Sequence, residues 1–140
     1  MNVDAFPTWL PVAADESQPV DVFARLPAGA DELLEELYAQ LWDRGVDHAT
    51  LDRCRARITT MLTGTLIDPD LEPETDAQRA AVAFAEQFVL DPHGCTDDQM
   101  RGLQNYFTGP QLATLTTAIA VFDALARVHA VLGLSQEETT

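Results

Sequence analysis

Beyond residue 30, apolar positions recur at three- and four-residue spacing, the period of a helix with one buried face. Leu33, Leu34, Leu37, Tyr38, Leu41 and Trp42 set that period for a first helix over about 31–44, ended by Gly45. Glu32, Glu35 and Glu36 crowd its first turns, where the helix dipole favours negative charge. Leu51, Cys54, Ile58, Met61 and Leu62 mark a second helix over about 49–62, with Asp47 or Thr50 as its cap and Thr63-Gly64 as its stop. A third starts at Thr75, whose spacing to Gln78 matches a capping box. It runs through Ala80, Ala81, Ala83, Phe84, Phe88 and Val89 to Leu90, and its small residues allow another helix to approach closely. Asp91-Pro92 ends it, because the residue before proline avoids helical angles.

Thr96 and Gln99 repeat the capping-box spacing, with Cys95 and Met100 spaced as a hydrophobic staple, and Met100, Leu103, Tyr106 and Phe107 mark a short fourth helix. The fifth, 110–132, is the element around which the rest is organised. Proline opens it and Gly133 closes it, the asymmetry helices favour. Leu112, Leu115, Ile119, Phe122, Leu125, Ala126 and Val131 repeat along it, with Ala118, Val121, Ala124, Val128 and Ala130 on its other faces. Such a helix is expected to be buried on several sides, and roughly 23 residues at about 1.5 Å each would cross a small domain. No strand pattern occurs.

The expectation is therefore an all-α chain: a single five-helix domain over 31–134, preceded by an extended arm over 1–30 and followed by a polar tail over 135–140. Pro7, Pro11, Pro19 and Pro27 keep the arm extended, while Phe6, Trp9, Leu10, Val20, Val22 and Phe23 ask for burial against this domain or a neighbouring subunit. Residues 65–74 read as an acidic loop containing Asp68, Asp70, Glu72 and Glu74.

Charge narrows the function classes. The chain of 140 residues carries 23 Asp plus Glu against 8 basic residues, all of them Arg, for a net charge of -15. That field repels nucleic acid and anionic membranes, so neither is an expected partner. The Arg-only, Ala-rich composition fits a high-GC bacterial coding bias. The start lacks the basic and apolar regions of a signal peptide. The fifth helix is long enough to span a bilayer, but Asp123, Arg127 and His129 would be expensive in lipid. A cytoplasmic location is expected. Cys54 and Cys95 form neither a zinc pattern nor a CxxC pair, so two free thiols are the plain expectation.

The stretch from Arg79 to Leu134, with Ala83, Phe84, Ala85 and Glu86, then Leu115 to Ile119, then Phe122, Asp123 and Arg127, resembles the C-terminal half of the carboxymuconolactone decarboxylase and alkyl hydroperoxidase D superfamily. Its members show a helix of the type ALAYAE, a connector, and a long helix of the type LTAAIAxFNxxNR. The preceding LDRCRARITTMLTG is similar to their LRELVxLRVAQLNGC. The resemblance implies that superfamily's five-helix fold and an oligomer built through helical faces. Redox members use a CxxC, a following His and a preceding Glu. The resemblance puts the first Cys at Gly64 or Thr65, the second near Ile67 or Asp68, the His near Leu71, and the Glu at Arg53 or its neighbours. All of these positions are lost, so thiol-dependent peroxidase activity is not carried over.

Two groups of side chains remain as chemical candidates. Glu86 and His93 could act as acid and base, with Asp91 between them and Arg57 holding a carboxylate. The plainer alternative has Arg57 paired with Glu86, Asp91 capping a helix end, and His93 on a backbone carbonyl. Asp123 and Arg127, four apart, suit an ion pair that helps helices pack, and His48 and His129 read as peripheral. No metal site and no cofactor are expected. The leading expectation is a redox-inactive binding or structural subunit of a homo-oligomer, with a catalytic homologue as a conceivable partner. The alternative is a cofactor-free lyase or isomerase acting on a small carboxylated ligand.

Overall fold

The computed structural model describes residues 29–66 and 68–132, and every element among them is helical. The five helices are α1 (Ala30–Leu41), α2 (His48–Thr63), α3 (Asp76–Leu90), α4 (Asp97–Gln104) and α5 (Gly109–Val131), with short 3-10 turns at Pro69–Leu71 and Pro92–Gly94. The expected arm over 1–30, with its aromatic residues, falls almost wholly outside the described residues, as does the tail over 135–140.

Local chemistry sets the boundaries. Thr75 and Gln78 form the expected reciprocal capping box, in which the Thr75 hydroxyl accepts the Gln78 amide and the Gln78 side chain accepts the Thr75 amide. At α4 only half of that arrangement is made: Thr96 accepts the Gln99 amide at 3.1 Å. A further box, not expected from the sequence, stands at α5, where Thr108 and Gln111 cap each other at the entry to Gly109-Pro110. Gly64 ends α2 in the left-handed conformation at φ 77°, which costs a glycine least.

The centre is a pair of helices. α5 touches each of the other four helices, as its apolar pattern demands, but α2 shares the core with it and packs equally closely on α3. Leu51, Cys54 and Ile58 of α2 meet Leu115, Ala118 and Ile119 of α5, all with no exposed surface. Ala81 and Ala85, equally buried, put small side chains on the inner side of α3. α5 is thus less enclosed than its composition suggests: Ala113, Thr117, Ala124, Val128 and Val131 face outward. By length and composition alone α5 could cross a membrane, yet its inner residues form the core of this domain.

Three further expectations are corrected. The apolar face of α1 divides, because only its C-terminal half lies on α5. Tyr38 and Trp42 stack on Phe122 at ring-centre distances of 6.0 and 5.7 Å, while Leu33, Leu34 and Leu37 stay exposed. His129, expected at the periphery, is fully buried, since its position on α5 continues the inner row through Phe122 and Ala126. The fourth helix also stops at Gln104, which leaves Tyr106 exposed and Phe107 buried in the turn before α5.

Polar bonds fix the remaining joints. Gln111 Nε2 donates to the Gly45 carbonyl at 2.9 Å and the Thr114 hydroxyl to the Arg44 carbonyl at 3.2 Å, so the start of α5 holds the α1–α2 turn. Arg127 Nε bonds both oxygens of Asp123 at 3.0 Å, and its Nη2 donates to the Val89 carbonyl at 3.1 Å. The expected ion pair therefore also ties α5 to the end of α3, where helix carbonyls lack intrahelical partners.

Candidate functional site

The acidic loop after α2 is shaped by Arg53. This arginine is buried on the α2 flank that faces residues 70–74. Its Nη1 donates to the Ala49 carbonyl at 3.0 Å, its Nε to the Glu72 carbonyl at 3.1 Å and its Nη2 to the Asp70 carbonyl at 3.3 Å. The Glu74 carboxylate lies 3.9 Å from Nη2. A buried guanidinium is tolerable only when its donors and charge are met in this way. The loop carbonyls gain a donor in return, and Pro69–Leu71 is held as a compact turn. Within it the Asp68 carboxylate accepts the Asp70 amide at 2.9 Å.

Between that turn and the last turns of α2 lies an open cleft of about 420 Å³. One wall is the α2 face carrying Arg55, Ala56, Thr59 and Thr60; the other is Thr65, Leu66, Asp68 and Leu71. Arg55 Nη2 donates to Asp52 at 3.1 Å, which orients the guanidinium. The Thr63 and Thr65 hydroxyls are 2.9 Å apart, and Thr63 donates to the Thr59 carbonyl at 2.6 Å. The cleft thus offers a cation, a carboxylate, hydroxyls and a few apolar side chains. Its volume lies within the range of about 300–1,000 Å³ usual for small-molecule sites.

Thr65, Asp68 and Leu71 are also positions to which the resemblance assigns the redox cysteines and histidine; Ile67 lies outside the described residues. Neither cysteine lines this cleft. Cys54 is completely enclosed between α2 and its neighbours, and burial, aided by the Asp47 charge, pushes its thiol up to about 12. Cys95 is half-buried in the turn before α4. Both are free thiols, as expected.

The four residues singled out from the sequence divide into two pairs. Arg57 Nε donates to Glu86 Oε1 at 3.0 Å across α2 and α3, each side chain a little over one-third exposed. Asp91 and His93 meet instead in the Pro92–Gly94 turn, where the Asp91 carboxylate accepts the His93 backbone amide at 3.1 Å. The His93 side chain is exposed, and Gln87 Nε2 donates to the Asp91 carbonyl at 2.6 Å. The Asp91 side chain therefore caps the start of this turn rather than the end of α3, which is closed by the Asp91 backbone amide on the Gln87 carbonyl. His48 is exposed at the start of α2, stacked edge-on against Trp42 with ring centres 5.6 Å apart.

Arg55, Thr59, Thr60 and the clamp made by Arg53 were not among the residues expected from the sequence. Arg53 stands beside the apolar row of Leu51, Cys54 and Ile58, ahead of an acidic loop, and that juxtaposition was the available signal. Its partners are chiefly backbone carbonyls, which no side-chain pattern announces. Comparison with protein-family models, curated proteins and solved structures finds no match for this chain.

Proposed function

We propose that the chain is a redox-inactive protein of the carboxymuconolactone decarboxylase type, acting as a binding or structural subunit of a cytoplasmic oligomer. The observation that carries this reading is the lining of the cleft at the end of α2. Where the resemblance expects a thiol pair and a histidine, the wall presents Thr65, Asp68 and Leu71. Peroxide reduction needs an accessible thiolate. Cys54 meets neither condition, being enclosed and held protonated.

The subunit role draws on the exposed apolar side chains of α1 and α5, which a partner's helical face would cover. A second copy is the first partner to expect, and a CxxC-bearing homologue the second. A cofactor-free lyase or isomerase gains less support, because Glu86 is engaged by Arg57 and His93 stands exposed on a separate turn.

The test is thiol-dependent peroxide reduction by the purified chain, followed by native mass spectrometry. No turnover above the buffer rate, together with an oligomer, is the expected result. Turnover abolished by Cys54→Ser or Cys95→Ser would overturn the redox-inactive reading, and a monomer would overturn the subunit reading.

A further inference from the structure

We propose that two copies of the chain pair through α1 in opposite directions, with Leu37 at the two-fold axis and Arg44 of each copy set against the first turn of the other. The inference rests on the subunit reading and names the surface and the partner that serve it.

Arg44 is the exception among the described arginines. Arg53, Arg55, Arg57, Arg79, Arg101 and Arg127 each pair with a carboxylate. Arg44 is exposed, and among the described residues its guanidinium bonds only Gln40, from Nη2 to Oε1 at 2.7 Å. Gln40 Nε2 in turn donates to Glu36 Oε1 at 3.3 Å, and Glu32 stands one turn before Glu36, exposed like it. Residues four apart share a helix face, so Glu32, Glu36 and Gln40 form one row, which the bond to Gln40 extends to Arg44. The row is negative at its start and positive at its end. The positive end is fixed in place, because the Thr114 hydroxyl donates to the Arg44 carbonyl at 3.2 Å and ties it to α5. Beside this row run Leu33 and Leu37, both exposed.

A surface of this kind, apolar along one row and oppositely charged at the two ends of the next, complements itself when two copies run antiparallel. Parallel copies would set Glu32 and Glu36 against their own counterparts, and like charges in contact count strongly against a pairing. In a chain of net charge -15 no general attraction offsets that cost. Antiparallel copies related by a two-fold axis bring Leu37 to Leu37 and lay Leu33 over the Gln40–Leu41 turn of the other copy. Each Arg44 then comes within reach of Glu32 of the other copy, so one symmetric contact makes two ion pairs. The 12 residues of α1 rise about 18 Å, a small contact beside a standard interface, so the pairing is concentration-dependent.

Sedimentation velocity of the full chain across micromolar to millimolar concentration tests this with two charge reversals, Arg44→Glu and Glu32→Arg. Both positions are exposed, and circular dichroism checks that each variant keeps its helicity. The parent is expected to associate. Each variant alone should associate more weakly by about tenfold or more, because like charges then meet at both symmetric contacts. An equimolar mixture of the two variants should regain association close to the parent's, since the mixed pair restores unlike charges at both contacts. The proposal is overturned if either variant associates as the parent does, or if the mixture gains nothing over the variants alone. Either result leaves the subunit reading standing with its contact elsewhere. A parent that stays monomeric overturns both readings and gives the leucines a different occupant, residues 1–28 of the same chain or another protein.

Discussion

Arg57 Nε and Glu86 Oε1 meet at 3.0 Å across the α2–α3 interface, each side chain a little over one-third exposed. The contact joins the two residues that the sequence offered as a carboxylate holder and an acid–base group. Water reaches both side chains, which weakens the pair to the level of surface ion pairs, about 0.2–1 kcal/mol. A double-mutant cycle with Arg57→Ala and Glu86→Ala, followed by urea denaturation, should return a coupling in that range. It should also shrink in molar salt. A coupling of several kcal/mol would mean a dry, buried pair, contrary to this geometry.

Arg53 should behave differently, because its guanidinium is buried and donates to three backbone carbonyls. Arg53→Met keeps much of the side-chain bulk and removes every donor. It should destabilise the fold by about 1–3 kcal/mol, the scale of hydrogen bonds made by a charged donor. Hydrogen exchange should also accelerate at Leu71 and Glu72, whose amides bond the Asp68 and Pro69 carbonyls within the clamped turn. Unchanged exchange there would show that the turn holds without the arginine.

Cys54 gives a pH signature. Its thiol stays protonated to about 12 in the folded chain against an ordinary 9.0, so between these values the unfolded chain binds fewer protons. Its contribution to stability is complete below pH 9 and declines as pH rises toward 12, by about 1.4 kcal/mol per pH unit. Tyr38, raised chiefly by burial, acts in the same alkaline direction, so the comparison must be between the parent and Cys54→Ala. The difference in their unfolding free energies should move in favour of the alanine variant from pH 9 to pH 10. A constant difference would show that the thiol is hydrated in the folded state.

What the sequence made legible follows from how far each interaction reaches along the chain. The helices of residues 30–132 could be read because apolar period, caps and glycine stops are local signals. Thr75 with Gln78 and Gly64 illustrate this directly. Burial within a helix was less legible. Leu33 and Leu37 have the same spacing as truly packed residues, yet both stay exposed. His129 is the reverse case, a polar residue whose place in the inner row of α5 outweighs its type. The cleft was hidden because its two walls come from α2 and a loop whose fold depends on Arg53 bonding backbone carbonyls. The Arg57–Glu86 contact, by contrast, was one of two alternatives weighed from sequence, since opposite charges on neighbouring helices are an ordinary pairing.

The exposed leucines of α1 lead to the last prediction. Leu33 and Leu37, one helical turn apart, are 70% and 47% exposed, and Leu34 beside them is 38% exposed. Such a row on a helix that packs only through its other half is apolar surface available to a partner. Leu33→Gln combined with Leu37→Gln removes that surface without touching the contacts of Tyr38 and Trp42 with Phe122. Helicity and the urea midpoint of the separated chain should therefore change little, within about 0.5 kcal/mol, as expected for exposed positions. If α1 forms the subunit contact, sedimentation velocity should show the double variant as a smaller species than the parent at equal concentration. An unchanged sedimentation coefficient would move the contact elsewhere, with the outward Val128 and Val131 of α5 as the next apolar surface to vary.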